Sequence, residues 1–165
     1  MDERDDADGA GDPEGEPDDG EGDPEAFGFE TTVPVRYRDL DTYAHVNNAV
    51  LATYLETARV EYLRETVGFD AAGGVVVARL EVDYETPLSF EDGPATVEVR
   101  VPRLGGSSFP MRYAVTADGG RRVATGRTVQ VTVDGAGESR PIPDDWRASI
   151  AAFEGVPEGP EPSDG

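Results

Sequence analysis

The chain has no cysteine and no lysine, and only one histidine. Without cysteine there are no disulfides, no thiolate nucleophile and no cysteine-held zinc or iron–sulfur site. A lone histidine leaves too few ligands for a zinc constellation, so neither a metal nor another cofactor is expected. Without lysine there is no Gly-x-x-x-x-Gly-Lys phosphate loop and no Schiff-base chemistry. A Gly-x-Ser-x-Gly nucleophile elbow is missing as well. No apolar run approaches the roughly 20 residues of a membrane helix, and the opening Met1-Asp2-Glu3-Arg4 is unlike a secretory leader. The expectation is a soluble protein of a reducing compartment, the cytoplasm.

Acid is what the 165 residues have in excess: 35 Asp and Glu against 14 Arg, a net charge of −21. Residues 1–26 hold 13 acids and one Arg, residues 27–155 hold 19 acids and 13 Arg, and residues 156–165 hold three acids and no base. Over half of the net charge therefore sits in the first segment, yet the middle is acidic in its own right. Such a surface repels nucleic acid and anionic membrane, which are held by Lys and Arg. In dilute buffer it also repels itself, and salt screens that repulsion. Abundant acid, absent lysine and many small residues resemble the proteins of extreme halophiles. A plainer reading assigns the acidity to a tail alone.

Residues 1–26 are Asp, Glu, Gly and Pro with almost nothing apolar. They cannot bury enough surface to offset ordering entropy and are predicted to be a disordered acidic tail. Residues 156–165 read the same way. Between them, residues 27–155 suffice for one core.

Within that domain Phe27 to Arg38 alternates, with Val33, Val35 and Tyr37 on one face, and predicts a strand. Asn47 or Asn48 is placed to cap a helix in which Leu51, Leu55, Ala58 and Tyr62 form a stripe, with Gly68 as the stop. Strands follow at Val75–Leu88, Ala95–Leu104, Ser108–Ala117 and Arg121–Val133, expected as an antiparallel meander. A short helix, Trp146–Phe153, comes last. One long striped helix needs a sheet to wrap around it. The order predicts an α+β protein of the hotdog layout, with another α+β sandwich as the alternative.

Chemistry-bearing residues crowd between the first strand and the long helix: Asp39, Asp41, Tyr43, His45, Asn47 and Asn48. A helix N-terminus offers free N–H groups and partial positive charge, which suits an oxyanion. A carboxylate beside it can serve as nucleophile or general base. Each residue also has a quieter reading: Asp39 as a structural acid near Arg36 or Arg38, His45 as a hydrogen-bonded loop residue, Asn48 as a plain cap. Glu56 is either a site carboxylate or an intrahelical partner of Arg59.

The run Asp39-Leu40-Asp41-Thr42-Tyr43-Ala44-His45-Val46-Asn47-Asn48, followed by Glu56-Thr57-Ala58-Arg59, resembles the 4-hydroxybenzoyl-CoA thioesterase-like branch of the hotdog superfamily. The likeness continues through Arg79–Tyr84 and Gly106-Ser107-Ser108-Phe109, and covers roughly residues 30–135. It implies an acyl-CoA thioesterase with Asp41 as nucleophile or base and N–H groups near Asn47 and Asn48 as the oxyanion site, with His45 an orienting or substrate-lining group. Tyr43, Glu56, Arg103, Ser107 and Ser108 are the substrate-contacting candidates it implies. It also implies a homodimer or homotetramer with sites between subunits. The family has Gly where this chain has Ala44, which would be strained if the position needs positive φ. Its phosphate-holding turn is poor in base here, with only Arg103 nearby. A hydratase or dehydratase using His45, or an acyl-binding protein without catalysis, are the competing functions.

Overall fold

The computed structural model describes residues 27–70 and 74–159. The predicted tail at 1–26, and the other beyond residue 159, lie outside the described residues. The elements are β1 (Phe29–Val33), α1 (Asn48–Val67), β2 (Val75–Tyr84), β3 (Ala95–Arg100), β4 (Ser108–Thr116), β5 (Arg122–Thr132) and α2 (Asp144–Glu154). The five strands form one antiparallel sheet in the order β1-β3-β4-β5-β2. Helix α1 lies on its inner face, as a hotdog fold requires.

Helix α1 begins and ends where its sequence says. The Asn47 side chain accepts the Ala49 N–H at 2.8 Å, and Gly68 takes the left-handed conformation (φ 67°) that only glycine adopts freely. Its buried face is Leu51, Tyr54, Leu55, Ala58, Tyr62 and Leu63. These meet the inward residues of β1, β3 and β4, including Phe29, Val97, Val99, Met111 and Tyr113, in one core.

Three strands form the meander, not four. Strand β2 pairs with β5 instead of β3, because residues 85–94 cross the molecule to reach β3. That connection contains Pro87, a 3-10 turn at Phe90–Asp92 and Pro94, and two-residue hairpin geometry is out of its reach. Strand β1 is shorter than expected, since Pro34 has no N–H to continue the ladder. Val35 to Asp39 instead bends through a 3-10 turn at Tyr37–Asp39.

The sheet carries α1 closely at one point. A Cβ on Gly126 of β5 would lie 2.7 Å from Leu55 Cδ1, so the helix crosses β5 where no side chain intervenes. Beside that crossing, Tyr113, Thr128 and Gln130 bury a short polar chain: the Tyr113 and Thr128 hydroxyls are 3.0 Å apart and Gln130 Nε2 donates to Thr128.

Helix α2 fastens the opposite edge. The Tyr62 hydroxyl and the Val101 N–H both donate to Glu154 Oε1, at 2.6 and 2.8 Å. Arg147, 4% exposed, donates to the carbonyls of Gly105 and Gly106 in the β3–β4 turn and to that of Glu158. Among the described residues the outer strand β2 has no strand beyond it, yet it exposes Val76, Val77, Leu80 and Tyr84.

Two outcomes test this packing. Gly126→Val should destabilise the chain by about 1–3 kcal/mol in denaturant unfolding, since the new side chain meets Leu55 and the helix must shift. Burial holds the Glu154 carboxyl above the ordinary glutamate range, with the Tyr62 and Val101 bonds and nearby Arg100 pulling it back. A carboxyl raised in the folded state binds its proton more tightly there, so stability falls as pH rises through that value. Glu154→Gln keeps an acceptor and removes the charge. Its stability relative to the parent should therefore grow as pH climbs from about 4.3 upward, measured by unfolding at constant salt; a pH-independent gap would contradict the assignment.

Candidate active site

The segment between β1 and α1 folds back on itself. Leu40 bridges Val46, and within the loop the Asp41 N–H donates to the His45 carbonyl at 2.8 Å while the Ala44 N–H donates to the Asp41 carbonyl. Asp41 Oδ1 accepts the Tyr43 N–H at 2.8 Å and the His45 N–H at 3.3 Å. The side chain is thereby held through one oxygen. Ala44 sits at φ 59°, the only non-glycine in the left-handed region among the described residues. The strain anticipated for alanine at this position is present.

Asp39 supports the loop from behind. It is buried, and its Oδ2 accepts the Arg36 N–H at 2.9 Å and the Tyr54 hydroxyl at 2.7 Å. Its partner on Arg36 is thus the main chain and not the guanidinium. Burial, then the bond to Asp39, pushes the Tyr54 hydroxyl well above the ordinary tyrosine value. The Asp39 carbonyl accepts the Asn47 N–H at 2.8 Å, and the Leu88 carbonyl accepts that of Val46 at 2.7 Å. These bonds set the point at which α1 starts.

A cavity of about 200 Å³ opens at this point, lined by Asp41, His45, Asn48, Tyr84, Glu85 and Thr86 among others. Asp41, His45 and Asn48 are brought together as the sequence suggested. The Asn48 N–H, first of the helix, has no acceptor among the described residues. Asn47 is outside the cavity: its N–H is engaged by Asp39 and its side chain caps Ala49. Tyr43 is 79% exposed and contributes its N–H to Asp41.

The remaining candidates stand elsewhere in the single chain. Glu56 faces Arg59 one turn along α1, at 3.7 Å, the intrahelical pair considered above. Ser107 accepts the Thr132 N–H on its carbonyl, and Ser108 opens β4 opposite Val131. Neither they nor Arg103 line the cavity with Asp41.

Sequence reasoning overlooked the far wall. Tyr84 closes β2 and donates its hydroxyl to the Asn48 carbonyl at 2.8 Å. Glu85 adds a second carboxylate to the cavity, its N–H fixed on the Val123 carbonyl. The run Tyr84-Glu85-Thr86-Pro87 was visible as a strand end, but only the pairing of β2 with β5 carries it to the helix start. No group of three or more metal-ligating side chains occurs among the described residues.

Known proteins share this fold. Residues 35–150 match the family model described as the thioesterase-like superfamily. The long-chain acyl-CoA thioesterase FadM of Escherichia coli K12 is 30% identical over 94 residues, covering 54% of this chain and 70% of that protein. A thioesterase from Thermus thermophilus, solved with coenzyme A and Zn, is 43% identical with a TM-score of 0.73, covering 81% of this chain and 99% of that one. A member of the thioesterase superfamily from a Jannaschia species is 26% identical with a TM-score of 0.71, over 81% of this chain and 87% of that one. With its five-stranded antiparallel sheet around one long helix, this chain is a hotdog-fold hydrolase and belongs to the thioesterase-like superfamily.

Proposed function

We propose that this protein hydrolyses acyl-CoA thioesters, with Asp41 as nucleophile or general base and the Asn48 N–H polarising the thioester carbonyl. The observation that carries the reading is the shared cavity of these two groups. Asp41 Oδ1 is occupied by two main-chain N–H donors, so Oδ2 is the oxygen that would face the reacting carbonyl or a water. As the carbonyl carbon is attacked, charge grows on its oxygen, where a helix-terminal N–H stabilises it. The C–S bond then breaks and CoA leaves as a thiolate; an alkyl thiol has a pKa of about 8.5 and needs little protonation. Water supplies the hydroxyl of the acid product and the proton of the thiol. The Tyr84 hydroxyl, bonded to the Asn48 carbonyl, steadies the helix end.

The same reading takes the working unit to be a homodimer or homotetramer of a cytoplasmic, salt-adapted protein, in the 4-hydroxybenzoyl-CoA thioesterase-like branch. Support for assembly comes from β2, an edge strand with four exposed apolar side chains. A second copy added there would bring substrate-contacting groups toward each Asp41, and Tyr43, Glu56, Arg103, Ser107 and Ser108 are the candidates. The Asp-x-Asp to Asn-Asn run supports the branch. A net charge of −21 without lysine supports the salt adaptation.

His45 lines the cavity beside Asp41 and gives the one competing reading, hydration of an enoyl-CoA. Thiol release over a panel of acyl-CoA esters in molar KCl, set against loss of enoyl absorbance, separates the two. Binding of an acyl-CoA analogue with neither signal would favour a carrier.

Asp41→Asn retains the oxygen that Tyr43 and His45 bond, so its thermal midpoint should match the parent while thiol release is abolished. Undiminished release would reject the assignment. Ala44→Gly relieves the positive φ at the expense of a more flexible unfolded chain. It should raise stability by roughly 0.5–1 kcal/mol in urea unfolding, with turnover retained.

A further inference from the structure

Strand β2 ends in an irregularity that turns a carboxylate toward the candidate active site. Tyr84 faces α1, because its hydroxyl reaches the Asn48 carbonyl. Side chains alternate along a strand, so Glu85 should point away from the helix. It lines the cavity together with Tyr84 instead. The cause is a local mismatch in the pairing. The Glu85 and Thr86 N–H groups both donate to the Val123 carbonyl, at 2.8 and 3.2 Å. On the other side of β5, Val115 is paired with Ala124 and Thr116 with Arg122, which leaves Val123 out of the ladder. Bulges of this kind bend a strand and redirect its side chains. The bend is pinned: the Thr86 hydroxyl donates to the Arg122 carbonyl at 2.7 Å and accepts from Arg121 at 2.6 Å.

The charge on the cavity wall is one-sided. Asp41 and Glu85 both line it, and no arginine does. Arg121, the cation bonded to Thr86, is turned to the Pro87 carbonyl and to Asp92, which it meets at 2.9 Å. Glu85 has no ion-pair partner among the described residues. Val46, Leu51, Leu88 and Val123 add an apolar surface of the kind that suits an acyl chain. An anion entering this recess meets like charges, whose repulsion is stronger there than in open water.

We propose that Glu85 is a specificity-determining residue: it turns away acyl groups that carry their own negative charge and leaves uncharged ones admissible. The inference rests on the reading of this cavity as an acyl-CoA site. Asp41 adds to the same field, but its Oδ1 also holds the loop through the Tyr43 and His45 N–H groups. Glu85 stands on a different element, so its charge can be altered without undoing that loop.

The test separates binding from turnover. S-butyl-CoA and its terminal-carboxylate counterpart of equal chain length are thioethers that cannot be hydrolysed. Their affinities are compared by titration calorimetry in the lowest KCl at which circular dichroism shows the fold. The parent should bind the carboxylate-ended compound more weakly. Glu85→Gln should narrow the gap on the order of 3- to 10-fold, and Glu85→Arg should reverse the preference. Molar KCl should narrow the parent's gap as well. Equal binding of the two compounds by the parent, or a gap unmoved by both substitutions, would overturn the proposal and leave the hydrolytic reading standing. So would an unmoved gap accompanied by equal loss of thiol release from neutral and carboxylate-ended esters, which would make Glu85 a base. Failure of both thioethers to bind would overturn the proposal together with the acyl-CoA reading. The charge-dependent gap without thiol release from any ester would support the filter and remove hydrolysis alone.

Discussion

Asp39 joins three parts of the chain through two groups. Its carboxylate takes the Arg36 N–H and the Tyr54 hydroxyl, while its carbonyl takes the Asn47 N–H. The turn leaving β1, the first turns of α1 and the helix cap are therefore tied to one buried residue. An acid in that position is tolerable because each of its polar partners is a donor already committed to it. The loop between these bonds has little freedom left, and Asp41 inherits its placement. The cavity at the helix start is a consequence of this knot more than of any property of Asp41 itself.

Local pattern made much of the fold readable. The Leu51–Leu55–Ala58–Tyr62 stripe, the Asn47 cap and the Gly68 stop all state an interaction between residues a turn or less apart, and each is present. Alternating β3, with Ala95, Val97 and Val99 wholly buried, is equally local. The departures are non-local. Nothing in Val75–Tyr84 announces that β5 is its neighbour, since pairing is decided by where residues 85–94 travel. For the same reason Tyr84 and Glu85 could not be attached to the site from spacing, whereas Asp41, His45 and Asn48 could, being close along the chain. Asn47 and Asn48 illustrate the finest grain: adjacent, chemically identical, and separated in role by which N–H the Asp39 carbonyl captures.

Charge in this protein is arranged, not merely abundant. Glu154 is a carboxylate under an aromatic cluster, where Phe29 and Phe153 meet the Tyr62 ring edge-on at 5.6 and 5.7 Å. Arg147 is a guanidinium whose described partners are carbonyls. Arg147, buried, and Glu154, half-buried, are hydrogen-bonding fixtures that happen to be charged, and such groups respond less to salt than the exterior does. An acidic surface can vary with its medium while these interior fixtures keep the sheet, the helix and the β3–β4 turn in register.

Helix α2 and the four residues after it act as a buckle. Arg147 reaches forward to Glu158 and across to Gly105 and Gly106, and Val156 donates to the Ala151 carbonyl. Residues 147–158 thus close the open end of the β3–β4 hairpin from outside. A chain cut before Glu154 would take the acceptor from both the Tyr62 hydroxyl and the Val101 N–H, and one cut before Glu158 would take from Arg147 one of its carbonyl partners. Any affinity handle or fluorescent fusion joined at this end therefore belongs beyond residue 159, where the buckle has already been fastened.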